Sequence, residues 1–348
     1  MKLKTILTAG AAVLFSAIAA QAQDLAGKTV TIMVDVPAGS GGDLHGRIFA
    51  KNLGAHIPGN PDVIVVNKPG GGGATAMNTV FEQGAKDGTM LCYCGLDAAG
   101  VIAGAPGIRY VPEEMAHIGS AADSLAFVAR TDRVGKAEDL RGDEAILIGG
   151  RGKAVSMDIF GNLGLKVLEA NYRYIGGFGG FSKIAAAMLA DEVHAGHAGL
   201  SGFVRFFGDN DTAKPVYYHP FFDTDGAPLP PREGIFPDGV PSIVDVYTEL
   251  NGEEPSGDWW DTYVWYRSNI MSAGIAVTAP PGMEPAIVEM LQQAFQDTVN
   301  DPAYLEEYRA AIGEPPFFNS TALTEKIFTS FRNAPEAVNA KLEELLAE

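Results

Sequence analysis

The chain has 348 residues and a formal net charge of −18, with 43 acidic against 25 basic side chains. So acidic a balance argues against nucleic acid and anionic membrane surfaces as partners, because both would repel it. With two cysteines in the whole chain, the fold does not depend on a disulfide framework.

In chain order, Lys2 and Lys4 precede an uncharged apolar run over residues 6–20, and Ala20-Gln21-Ala22 follows as a small-x-small site. That order predicts a secretory signal peptide over residues 1–22, cleaved after Ala22. The apolar run is too short to favour spanning a bilayer, and no later segment offers a long uncharged apolar stretch. Losing Lys2 and Lys4 makes the exported chain two charges more negative still. What remains is long enough for two domains of about 100–200 residues.

Residues 28–36 read as a strand and 43–55 as a helix, with Leu44, Ile48 and Leu53 roughly on one side. Residues 62–66 form a short buried strand, 67–73 a turn, 74–84 a helix closed by glycine, and 89–94 another strand. This alternation implies a parallel sheet covered on both faces. Cys92 and Cys94 share one face of that last strand. They are expected as two buried small apolar residues, since a bridge between them would strain the strand.

A second series follows, with strands at 124–130 and 144–150 and a short helix at 156–164. A helix at 181–191 turns Ile184, Met188 and Leu189 toward a core, and 213–219 is again extended. Residues 220–241 gather Pro, Gly and Asp into a long surface loop. A strand at 273–280 and helices at 284–299, 302–311 and 321–346 end the chain. Two α/β units predict two lobes with a cleft, where ligands sit beyond the carboxyl ends of the strands.

Two glycine turns fall at that position. The first, Asp35-Val36-Pro37-Ala38-Gly39-Ser40-Gly41-Gly42-Asp43, joins a strand to a helix. A helix start carries unpaired N–H groups and partial positive charge, and glycine lets the main chain approach a ligand. Ser40 adds a hydroxyl, and Asp43 is placed at the N-cap. No Gly-Lys-Ser/Thr follows and the spacing is not G-x-G-x-x-G, so a nucleotide is disfavoured and a small carboxylate fits. The second turn lies in 146–158, with a helix start at Ser156. It carries Arg151, Gly152 and Lys153, cations that are either solvated or turned to the cleft.

Several blocks in order resemble the periplasmic solute-binding receptors of tripartite tricarboxylate transporters, the Bug or TctC-like family. They are VTIMVDVPAGSGGDLHGRIFAKNL, VIVVNKPGGGGATAMNTVFEQGAKDGTMLCYCG, YRYIGGFGGFSKIAAAMLADEVHAG and AGIAVTAPPGMEPAIVEMLQQAF. The resemblance implies an α/β, two-lobed periplasmic binding protein of the class II type, each lobe a mostly parallel sheet flanked by helices. Residues 23–123 and 273–348 would form one lobe and 124–272 the other. It implies a ligand carboxylate held by the main chain of Ala38, Gly39, Ser40 and Gly41, helped by residues 150–156 and by 95–98, which include Asp97 and Ala98. It further implies delivery to membrane permease subunits by a monomer, with no cofactor or metal. The sequence departs from the family at Arg151 and Lys153, in a loop usually neutral, and at Asp97, where small neutral residues are common. Phe178 holds the aromatic position before the glycine pair.

Two other functions compete. An exported hydrolase would use Ser201 of GLSGF, but Phe203 replaces the last glycine of a nucleophile elbow. His194 and His197 suggest a metal, but lack a nearby Glu and read as strand-end or surface residues. A periplasmic sensory module would use the same pocket and differ only in its docking surface.

Overall fold

The structure is a computed structural model that describes residues 24–95, 100–101, 105–122, 124–223, 226–230, 239–313, 317–319, 321–330 and 333–348. The expected leader, residues 1–22, lies outside them. Strand β1 (Thr29–Val34) is buried along most of its length and pairs in parallel with β2 (Asp62–Asn67) and β3 (Met90–Gly95). Helix α1 (Gly41–Leu53) crosses from β1 to β2, burying Ile48, Phe49 and Leu53. Gly46 allows α1 to approach the sheet: a Cβ there would come within 2.8 Å of the Val34 side chain. Helix α2 (Ala74–Gln83) makes the next crossover.

The rest of this sheet runs antiparallel. Strand β10 (Ile275–Ala279) lies between β3 and β4 (Ala116–Ala122), and β11 (Phe317–Asn319) pairs with β4. The order is β11-β4-β10-β3-β1-β2. The second sheet is β7 (Tyr172–Ile175), β6 (Ile146–Gly149), β8 (Ala195–Gly199), β5 (Leu125–Arg130) and β9 (Ala213–His219), in that spatial order. Here β6 is parallel to β7 and β8, while β5 is antiparallel to β8 and β9. The architecture is two-lobed α/β. Each sheet is mixed rather than mostly parallel, because the chain enters the second sheet directly after Ala122 and returns through β10, reversing direction each time.

Helices α3 (Ser156–Val167), α4 (Phe181–Leu189) and α5 (Leu200–Phe207) flank the second sheet. Ile184 and Met188 are buried, but Leu189, expected beside them, is 54% exposed at the helix end. Helices α6 (Ile243–Asn251) and α7 (Asp258–Tyr266) precede β10. After it come α8 (Pro285–Asn300), α9 (Pro302–Ile312), α10 (Thr321–Ser330) and α11 (Glu336–Ala347). The sequence places α11 with the first lobe; it packs instead on α7 and α3, with Lys166 paired to Glu348.

Cys92 and Cys94 are buried as expected, but they form a disulfide, correcting the reading as two thiols. Their side chains share a face of β3 and their Cα atoms are 5.4 Å apart, within the usual reach of a bridge. No helix among the described residues is long and apolar enough to cross a membrane.

Candidate ligand site between the lobes

The two glycine turns meet across a cavity of about 130 Å³. From the first lobe it is lined by Asp35, Val36, Ser40, Gly41, Gly42, His45 and Gly95, among others; from the second by Arg151, Met157, Asp158, Phe181, Ile184 and His197, among others. A smaller pocket of about 30 Å³ continues past Arg151 to Gly72 and Ser156. At the rim, Pro37 lies opposite Gly179 and Gly180, where added Cβ atoms would be 3.6 and 3.7 Å from its ring. The cavity is well below the ~300–1,000 Å³ of drug-sized sites, so it suits a molecule of few heavy atoms. A larger groove of about 1020 Å³ runs along Thr131, Phe207 and Pro241. It lies on the second lobe alone and cannot couple a ligand to lobe movement.

Both turns are built on one plan. In each, an aspartate at the third position of the helix reaches back to the preceding loop. In the first, Ser40 is the N-cap and Asp43 the third residue of α1. The Asp43 carboxylate accepts from Gly39 N at 2.7 Å, Asn67 Nδ2 at 2.7 Å and Arg47 Nε at 3.0 Å. Burial opposes the charge, but these bonds hold the Asp43 pKa below its ordinary value. In the second, Asp158 Oδ2 accepts from Arg151 N at 2.8 Å and Gly152 N at 3.0 Å. Burial pushes Asp158 up, and the Arg151 charge pulls it part of the way back.

This plan redistributes the expected contacts. Ser40, Gly41 and Arg151 line the cavity, and Ser156 lines the smaller pocket. The Ser40 hydroxyl donates to Pro37 O at 2.7 Å, so its side chain braces the turn. The Gly39 and Gly152 N–H groups serve the two aspartates, and Asp43 holds the loop rather than capping the helix. Ala38 and Lys153 are exposed and lie outside the lining. Phe178 packs into the core of the second lobe, and Phe181, the first residue of α4, takes the place at the cavity. Asp97 and Ala98 lie outside the described residues. What the first turn offers an anion is the start of α1, where Gly41 and Gly42 have no acceptor within the helix.

Sequence reasoning missed four polar groups. Asp35, at the end of β1, is 8% exposed and accepts from Gly95 N at 3.2 Å. Burial raises its pKa, and Arg151 across the cleft lowers it in part. His45 lines the cavity from α1 and is held by the Tyr308 hydroxyl at 2.6 Å. Asp158 anchors the second turn. His197, read as a strand-end or surface residue, is mid-strand and 6% exposed, and neither ring nitrogen has a hydrogen-bond partner. Burial lowers its pKa to about 3, so the ring is neutral. His194 sits apart, its Nδ1 accepting from Leu147 N at 3.2 Å. Among the described residues no cluster of three or more His, Cys, Asp or Glu could hold a metal.

The Phe178 and Phe181 difference makes a testable contrast. Phe181→Ala enlarges the cavity and is expected to shift preference toward bulkier ligands. Phe178→Ala is expected to cost stability, about 3 kcal/mol or less at a half-buried site, and leave preference unchanged. Thermal melts and competition binding on the two variants check this.

No family model and no curated protein matches the sequence. Solved structures do. The periplasmic binding protein BugD superposes with a TM-score of 0.61 at 18% identity, covering 92% of this chain and 94% of its own. MatC from Rhodopseudomonas palustris with bound malate gives 0.64 at 14% identity, covering 91% and 98%. A second R. palustris protein, with adipate, gives 0.66 at 13%, covering 92% and 97%. At such identities the likeness establishes a shared fold.

Proposed function

We propose that the chain is an exported solute-binding receptor of the Bug/TctC-like kind, which captures a small organic carboxylate in the periplasm and presents it to a membrane permease. The observation that carries this reading is the shared cavity: the open start of α1 and the Arg151 side chain come from different lobes and face one small space. Malate and adipate, found in two proteins of the same fold, support a carboxylate as the ligand class. A ligand bonded to both lobes favours the state in which they are near, so capture drives closure. In this reading residues 23–123 and those from 273 through α10 move as one lobe and 124–272 as the other, with α11 riding on the second. The receptor acts as a monomer, without cofactor, and releases its ligand unaltered.

The hydrolase alternative needs a histidine oriented by a carboxylate. The His197 ring is flanked instead by the rings of Phe127 and His219, at 5.1 and 5.5 Å between centroids. A thermal-shift screen of mono-, di- and tricarboxylates, followed by mass analysis of the recovered acid, separates binding from turnover. Arg151→Ala is expected to weaken the bound acid about 10–100-fold, the worth of one charge-assisted hydrogen bond at ~1.5–3 kcal/mol. Titration calorimetry reads it, and unchanged affinity would remove Arg151 from the site.

A further inference from the structure

The charges around the cavity do not suit every carboxylate. Among the described residues that line it, Arg151 is the one Lys or Arg. Its charge already acts on two buried carboxylates that also line the cavity, Asp158 on its own turn and Asp35 across the cleft. The two histidines on the wall add no cation, since burial holds His45 at about 4 and His197 at about 3. One ligand carboxylate placed between the start of α1 and Arg151 is matched. A second would lie in the same small space as Asp35 with no cation to meet it, and an unpaired buried charge is costly. A cationic group in that place would instead meet Asp35. Val36, Leu125, Met157, Phe181 and Ile184 give the wall an apolar part.

We propose that this site takes a small zwitterion, with its single carboxylate held by the start of α1 and Arg151 and its ammonium by Asp35, and that it rejects di- and tricarboxylates. This rests on the receptor reading above and narrows it. Asp35 is then the residue that sets specificity. A buried carboxylate opposite the anion site serves no anion, but it gives a cation a desolvated partner.

The test is calorimetric titration of the purified protein with matched pairs that differ by the amino group: glycine and acetate, L-alanine and propionate, L-leucine and isocaproate. Malate and succinate complete the set. At least one amino acid is expected to bind more than about tenfold tighter than its des-amino twin, and the dicarboxylates to bind weakest. Asp35→Asn should weaken that amino acid about tenfold or more and leave its twin unchanged or tighter. Equal binding within every pair, or tightest binding by a dicarboxylate, overturns the proposal and leaves the receptor reading standing. So does an Asp35→Asn variant with an unchanged ratio, which would make Asp35 only a counter-ion to Arg151. If no acid of any kind binds, the receptor reading falls and this proposal with it. Should Asp35→Asn fail to fold, the pairs on the unaltered protein decide alone.

Discussion

Acidification from about pH 7 to about pH 4.5 is expected to destabilise this protein by several kcal/mol. His45, His117, His197 and His219 are buried. Burial holds His45 and His117 at about 4, His197 at about 3 and His219 well below its ordinary value of 6.5. Each is neutral in the fold and free to protonate when unfolded. Between 6.5 and the folded values the unfolded chain therefore binds protons that the native state does not, and stability rises with pH. It is lost as pH falls through that window, and each loss levels off below the folded value. At ~1.4 kcal/mol per unit, His45 and His197 alone remove about 5 kcal/mol by pH 4.5. That is comparable to the whole stability of a small protein, ~5–15 kcal/mol.

Two groups oppose this. Asp35 and Asp158 have raised values, so the fold takes up their protons first and gains stability as pH falls toward 3.8. Two carboxylates stand against four histidines, so the net slope follows the histidines. Asp43, with a lowered value, loses its contribution only below 3.8, outside the window. Thermal melts at pH 7.5 and pH 5 measure the effect. A midpoint lower by roughly 10 °C at pH 5 is expected, and a flat or rising midpoint would show that these rings are not buried neutral.

Asp158→Ala is expected to have the second large effect. The substitution leaves Arg151 N and Gly152 N, which now share one oxygen, without an acceptor in a part-buried turn. A fully buried unsatisfied donor costs about 1–3 kcal/mol, so two part-buried ones set the expected loss at about 2 kcal/mol. The turn then loses the geometry that aims Arg151 into the cleft, and affinity falls with stability. Asp158→Asn keeps one acceptor oxygen and should lose less of both. Paired melts and titrations of the two variants check this order. Equal stability in Asp158→Ala and the unaltered protein would mean that the turn holds its shape without the aspartate.

The β1-α1-β2-α2-β3 unit was legible because apolar runs alternate with amphipathic ones and glycine turns separate them. Strand β4, AHIGSAA, and β8, AGHAG, were harder to see. Both are made of small residues with little β-branching, and tertiary packing rather than propensity makes them strands. The run over 321–346 is two helices, with Pro335 as N-cap of the second. That proline was the visible sign of the break. Helices α6 and α7 went unread, although Ser242 and Asp245 form a capping box before α6. At the site, Arg151 and the first turn were legible as types of residue. Their bonding was not, since it depends on which N–H each aspartate reaches. An aspartate at the third helical position after a glycine turn, as at Asp43 and Asp158, is the local signal that those N–H groups are already taken. Asp35 escaped notice because its role comes from a partner on the other lobe.

A co-crystal of the protein with the tightest acid from the thermal-shift screen tests the central claim most directly. The account predicts an intact molecule in the cavity, its carboxylate between the main chain of Gly41 and Gly42 and the Arg151 guanidinium, with both lobes in contact. Density in the groove along Thr131 and Phe207 with the cleft empty, or a cleaved product in the cleft, would contradict it.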